Sequence, residues 1–244
     1  MLASMSPRTT QTSDPARRSA RAERILDAAA DLLQRWGYRR VTVDDIAEEA
    51  GIGKGTIYLH WKTREALFLA VLQREVIASI DQLVDAIRED PQTALLHRLT
   101  RTQFLGVMNR PLLCALYTGD PQVLGKLGKA LHDAQDPRHH AAFDDYLRLL
   151  VDHGLLRSDL SVDELSHAFH AVLHGFLLTD AFYGNQKRFD LERRADLLAT
   201  TVRRAFEPEK SPAAKAISAV APRAIELFSE SADADRALLR RAYE

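Results

Sequence analysis

The stretch Thr42 to Arg64, TVDDIAEEAGIGKGTIYLHWKTR, admits few local structures. Thr42 is a good helix N-cap. Asp44, Asp45, Glu48 and Glu49 place negative charge in or near the first turns, where the helix dipole favours it. Ile46, Ala47 and Ala50 form a narrow apolar stripe at helical spacing. Gly51 stands where that helix must stop and the backbone turns to positive φ. Gly53 and Gly55 leave the following backbone uncrowded, and Ile57 and Trp61, four apart, anchor a second short helix to a core. Lys54, Thr56, Tyr58 and His60 are left for another purpose. Two short helices at a steep angle, the second with a polar face, describe a helix-turn-helix, whose second helix normally lies in the DNA major groove.

The rest of the chain is punctuated as helices. Ala22, Ile25, Leu26, Ala29, Leu32, Leu33 and Trp36 repeat at about 3.6 residues, which predicts a helix from Ala16 to Trp36 stopped by Gly37. Tyr38, Val41 and Val43 are expected to close a small three-helix core. Thr63 caps a fourth helix that runs to Asp90, at ~1.5 Å per residue about 40 Å long and able to join two domains. Further helices are expected over Thr93–Asn109, Leu112–Tyr117, from Asp120-Pro121 to His132, and from Asp136-Pro137 to His153. Ser161 and Glu164 form a capping-box signature before a helix reaching Tyr183, and Asp190 caps another to Phe206. The first of this last pair is apolar around much of its circumference, as a helix buried on two sides is. Pro208, Pro212 and Pro222 break the remainder into short pieces, in which Ile225, Leu227, Phe228, Leu238 and Leu239 pack as one or two helices or dock as a loose tail. The class is all-α.

Composition narrows function by exclusion. Cys114 is the single cysteine among 244 residues, so no intrachain disulfide forms and a reducing cytosol fits. No long apolar run predicts a membrane span, and the polar N-terminus lacks a signal-peptide core. Residues 1–64 carry 11 Lys and Arg against 8 Asp and Glu, net +3, while the remainder is net −4, a mild asymmetry that suits local phosphate binding. Residues 1–15 are polar, aperiodic and expected to be a disordered arm, with Arg8, Arg17, Arg18, Arg21 and Arg24 extending a basic run into the first helix. No phosphate-binding glycine loop, nucleophile elbow or HExxH occurs, and Asp144 and Asp145 point apart on a helix, so neither a catalytic residue nor a cofactor is expected. His167, His170 and His174 share one helix face, but no acidic or cysteine cluster completes a metal site. Hydrogen bonding at an interface or pocket is the reading for them.

The helix-turn-helix run resembles the DNA-binding domain of the tetracycline-repressor (TetR) family of bacterial regulators. The matching residues are Thr42-Val43-Asp44-Asp45-Ile46-Ala47, Ala50-Gly51, Lys54-Gly55-Thr56-Ile57-Tyr58, His60-Trp61-Lys62 and Glu65-Ala66-Leu67-Phe68, without a gap. Gly53 replaces the Ser frequent at the recognition-helix cap, and Trp61 the usual Phe. The resemblance implies a helix-turn-helix domain over 16–62, a larger helical domain for ligand binding and dimerisation over 63–206, and an extension at 207–244. It assigns Lys54, Thr56, Tyr58 and His60 to the groove and its walls, Lys62 and Thr42 to phosphates, and Gly55 to close backbone approach. It further implies a homodimer through the helices at 162–183 and 190–206, a double-stranded DNA operator, a small-molecule effector and a cytoplasmic repressor. Phe104, Met108, Tyr117, Leu147, Phe169 and His174 are the candidate effector-lining residues. Two other readings stay open: a low-specificity DNA-organising protein, and a helical-bundle enzyme or carrier with a vestigial DNA-binding domain.

Overall fold

Apolar positions at helical spacing, cut by glycine and proline, give eleven α-helices and one 3-10 turn among the residues described by the computed structural model, 15–127, 137–183 and 189–241. No strand occurs among them. Expectations about residues 1–14 and the 128–132 stretch fall outside the described part.

Helix α1 (Pro15–Trp36) buries Ala22, Ile25, Leu26, Ala29, Leu32 and Leu33 on one face. Trp36 does not join them: it is exposed, with the Arg35 guanidinium 5.5 Å from its ring centroid. Gly37 ends the helix at φ +74°. Helix α2 (Val43–Glu49) starts from the Thr42 cap, and α3 (Lys54–His60) from Gly53, which offers no side-chain hydrogen bond. Helix α4 (Arg64–Glu89) begins at Thr63, whose hydroxyl accepts from the Ala66 amide. At 26 residues it is about 39 Å long. Leu67, Phe68, Val71 and Leu72 at its start belong to one hydrophobic core, and Leu83, Val84 and Ile87 near its end belong to a second.

A proline-led 3-10 turn (Pro91–Ala94) follows, so the next helix starts three residues later than its apolar pattern suggests. Helix α5 (Leu96–Met108) leads to α6 (Pro111–Thr118) and the four-residue α7 (Pro121–Leu124). Asp120 caps α7, and Gly125 stops it at φ +52°. The helix expected from Pro121 is thus interrupted after Leu124, and its expected part beyond residue 127 lies outside the described residues. Helices α8 (Pro137–Asp152), α9 (Val162–Tyr183) and α10 (Leu191–Phe206) follow the predicted punctuation. The Ser161–Glu164 box is formed, and Asp190 caps α10. Tyr146 of α8 is fully buried and donates its hydroxyl to the Ala94 carbonyl, and burial pushes its pKa well above the usual phenol value.

The C-terminal part departs most from expectation. Residues Ala214–Arg241 form one helix, α11, that passes straight through Pro222. An interior proline costs about 3 kcal/mol. Burial along the same helix offsets it: Val220, Ala221, Ala224, Phe228, Ala232 and Leu239 face inward against α4, α8 and the 3-10 turn. Leu238, one of the residues expected to pack if this part were helical, is exposed. The alanines that look like a loose tail are what let α11 lie close along α4. Ion pairing of Arg236 with Asp81 and a bond from Gln73 to the Asp235 carbonyl tie the two helices. Phe228 belongs to the second core and Leu239 to the first, so α11 spans both.

The first core is also not confined to residues 16–62. Leu112, Ala115, Leu124 and Leu127 pack into it. The Tyr38 amide bonds the Val123 carbonyl at 2.9 Å, and Gly37 lies against the Gln122 carbonyl. The Tyr38 ring meets Phe68 edge-on and carries the Arg64 guanidinium 4.2 Å from its centroid, while its hydroxyl donates to Glu65 at 2.6 Å. The α6–α7 segment thus docks on the same residue that closes the three-helix core.

Candidate nucleic-acid interface

Helix α3 is seven residues long, so its two faces follow directly from spacing. His60 and Trp61 lie three and four positions after Ile57, and all three are buried. Lys54, Gly55, Tyr58 and Leu59 occupy the other side and are exposed, Tyr58 by 40% and Leu59 by 65%. Thr56 is intermediate.

His60 corrects the sequence reading. Expected at the groove, it is only 7% exposed and its ring lies 5.4 Å from that of Trp61. The cause is elementary: position 60 is three residues after Ile57, on the side that anchors the helix. Leu59 is an exposed residue of this face that the sequence reading did not single out. Its signal was available, because an exposed leucine one position from Tyr58 on a polar face has no packing role. A side chain of this type makes apolar contact with a thymine methyl group in the major groove.

Lys54 is exposed and paired with Asp44 of α2 at 2.8 Å, an arrangement that raises the pKa of its ammonium through the hydrogen bond to that carboxylate. The pair is solvent-exposed, so it contributes little to stability and leaves the lysine able to exchange Asp44 for a phosphate. Lys62 is exposed immediately before the Thr63 cap of α4. Arg39 and Arg40, exposed in the turn before α2, add positive charge that the sequence reading did not single out.

Thr42 occupies the N-terminus of α2, where an anion is favoured. Both of its donors are already engaged. Its amide donates to Asp45 Oδ2 at 2.8 Å and its hydroxyl to the same oxygen at 2.7 Å. These bonds hold the Asp45 carboxyl below its usual pKa, with the side-chain bond the larger cause. The folded-state value is depressed, so the cap's contribution is present above the ordinary carboxylate pKa. It is lost as pH falls through the lowered one. A DNA phosphate at Thr42 must therefore displace Asp45.

The six candidate effector-lining residues separate into two groups. Phe104, Leu147 and Phe169 are buried in the second core. Met108, Tyr117 and His174 are half-buried and pack on that core from α5, α6 and α9. The rings of Tyr117 and His174 are 6.4 Å apart, and His174 stacks on His170 at 6.1 Å. Cys114 Sγ lies 3.9 Å from Met108 Sδ. His174 and His170 each bond a backbone carbonyl one turn back through Nδ1, and His167 is exposed. No group of three metal-ligating side chains forms among the described residues.

Of the two helices expected to dimerise, α9 leaves Ala171, Gly175 and Thr179 outward, flanked by half-exposed Val172, Phe176 and Leu178. Nothing lies within 4 Å of a Cβ built on Gly175. Helix α10 differs: its apolar side is consumed by α5, Glu192 and Asp196 pair with Arg101 of that helix, and Arg193, Thr200 and Arg204 are exposed. Among the described residues, no helix is long and apolar enough to cross a membrane.

Comparison with known proteins adds to this geometry. Residues 25–71 match the family model of bacterial regulatory proteins, tetR family. The HTH-type transcriptional activator FasR of Mycolicibacterium smegmatis is 37% identical over 76 residues, covering 31% of this chain and 33% of that protein. The HTH-type transcriptional repressor KstR2 of the same organism is 27% identical over 155 residues, 61% of this chain and 74% of that protein. The chain spans between 23% and 55% of the length of four such curated relatives. The crystal structure of the transcriptional regulator FadR from Bacillus subtilis, in complex with stearoyl-CoA, superposes with a TM-score of 0.57 at 18% identity, covering 74% of this chain and 96% of that one.

Proposed function

We propose, from the premise that this chain belongs to the tetR family of bacterial regulatory proteins, that it is a ligand-responsive transcriptional repressor that reads a palindromic operator as a homodimer. The observation that carries this reading is α3: one face locked into the core by Ile57, His60 and Trp61, the other presenting Lys54, Gly55, Tyr58 and Leu59 to solvent. A helix held so firmly carries its exposed side chains as a rigid unit. Tyr58 and Lys54 meet the groove walls, Leu59 the base edges, and Thr42, Lys62, Arg39 and Arg40 the flanking phosphates. Most of these contacts position the protein, and few of them read sequence.

Two copies joined through the outward face of α9 match half-sites about one helical turn, ~34 Å, apart. The small residues Ala171, Gly175 and Thr179 allow close approach of a second helix. An effector entering the seam of Met108, Tyr117 and His174 would move α6 against α4 and change the separation of the two reading helices. By linkage, that effector binds the DNA-incompetent spacing more tightly, and operator DNA opposes it by the same factor. The FadR fold holds stearoyl-CoA, which supports a ligand role for a fold of this kind without carrying its chemistry over. A cytoplasmic setting and the absence of catalysis belong to the same reading.

Duplexes selected from a random pool by the protein, set against scrambled duplexes of equal length, provide the test. Tyr58→Ala and Lys62→Ala are each expected to weaken binding to the selected duplex roughly tenfold, with Lys62→Ala also lowering the salt slope by about one. Both residues are exposed, so thermal unfolding should not change. Equal affinity for selected and scrambled duplexes would favour a DNA-organising protein. Unchanged affinity in both variants would remove α3 as the reading helix.

A further inference from the structure

A cavity of about 370 Å³ opens at the end of the larger core remote from α3. Its walls come from the start of α5, the turn after α8, the end of α10, and the linker that joins α10 to α11. His97 lies eleven residues before Met108 on α5, so the cavity is about 16 Å along that helix from the seam discussed above. The volume is in the range of small-molecule sites, ~300–1,000 Å³.

The charges around it are unbalanced. Glu207 is buried, and its carboxylate accepts from the His97 amide at 2.9 Å and from His97 Nδ1 at 2.8 Å. It therefore already occupies the N-terminus of α5 as an internal anion. A carboxylate only accepts, so His97 carries its proton on Nδ1. Arg98 is paired with Asp90 at 2.9 Å. Arg203 and Lys210 also line the cavity, and neither has an ionic partner among the described residues. Leu95 and Leu155, both buried, and Ile217 supply apolar wall. Two unpaired cations beside an apolar wall, in a part of the chain that is net negative, select an anion that brings a hydrophobic body.

We propose that this cavity binds a small organic carboxylate, its charge held by Arg203 and Lys210 and its apolar body lying against Leu95, Leu155 and Ile217. The guanidinium of Arg203 suits a bidentate carboxylate, and Lys210 adds a point charge at the rim. The carboxylate enters opposite Glu207, whose own charge is already satisfied by His97 and the α5 terminus. Pro208 and Pro212 stiffen the linker that forms the rim, so the wall exists before the ligand arrives. The site is independent of the DNA-binding reading, since it uses none of the same residues.

The test uses the full chain with sodium benzoate as the probe and benzamide as its neutral isostere, followed by the His97 imidazole NMR signals. Benzoate is expected to bind saturably with a shift at His97, benzamide at least tenfold more weakly, and the Arg203→Ala/Lys210→Ala double variant to lose benzoate binding at least tenfold. Both replaced side chains are exposed, so the variant should keep the parent melting temperature. A conservative Arg203→Lys change should restore part of the affinity. Absence of saturable binding, equal binding of benzamide, an unaffected double variant, or binding of inorganic phosphate in preference to benzoate each overturns the proposal.

Discussion

A chain ending at Ser211, without α11, is expected to lose its cooperative thermal transition and to expose surface that binds hydrophobic dyes. Val220, Ala221, Ala224 and Phe228 are part of the larger core, and Leu239 is part of the smaller one. Removing them opens both along the length of α4. Burial of a phenylalanine alone is worth about 3–5 kcal/mol on truncation to alanine. Folded domains keep only about 5–15 kcal/mol in total. Phe228→Ala provides the graded version: about 3 kcal/mol lost, read as a shift in the urea midpoint with an unchanged slope. If the shortened chain melts cooperatively within a few degrees of the full one, α11 is not part of the folding unit.

Gly37→Ala is the second large effect, and its origin is backbone geometry. Gly37 sits at φ +74°, where an L-residue costs roughly 1–2 kcal/mol. A Cβ there would stand 2.5 Å from the Gln122 carbonyl oxygen, a backbone atom that cannot swing aside. Overpacking of this kind adds about 1–3 kcal/mol. The expected loss is about 3 kcal/mol, or a fall in melting temperature of about 6–12 °C for a chain of this size. The damage should be local as well as global. The Tyr38 amide, bonded to Val123, should exchange with solvent faster than the α1 amides, because the α6–α7 segment is pushed off its docking surface. Gly125→Ala attacks the same contact from the other side, where a Cβ would be 2.8 Å from the Tyr38 ring. A Tyr38 amide that stays protected in both variants would mean that the dock tolerates the added methyl groups.

These two effects involve contacts that no local pattern announces. Gly37 was legible as a helix stop, and its positive φ follows from that. That its open side receives the backbone of residue 122 was not legible, because the partner lies 85 positions away and carries no complementary signature. Pro222 misled for a similar reason. Read locally it breaks a helix, and only the burial of its neighbours along α4 explains why it does not. His60 was misplaced although the information was local: its spacing from Ile57 and Trp61 puts it on the anchored face.

The candidate reading face was legible in most of its members. Lys54, Gly55, Tyr58 and Lys62 are exposed where the pattern places them, while Thr42 is engaged by Asp45, a partner three residues on. The candidate ligand side carries no such local mark. Phe104, Leu147 and Phe169 are as apolar and periodic as any lining residue, and nothing in a side chain's identity distinguishes a wall from a filled core.

By itself, then, the sequence determined most of the helices before α11, their caps, and the faces of α2 and α3, because these depend on residues within about four positions of one another and on backbone preferences that act there. Tertiary structure alone decided that α11 is one helix braced along α4, that α6–α7 docks on Tyr38, and that Arg203 and Lys210 line one cavity with no ionic partner among the described residues. Each of those depends on which distant surfaces come together. That is settled by the packing of whole faces against one another, where burial of apolar area outweighs the local preference of any single proline, alanine or glycine.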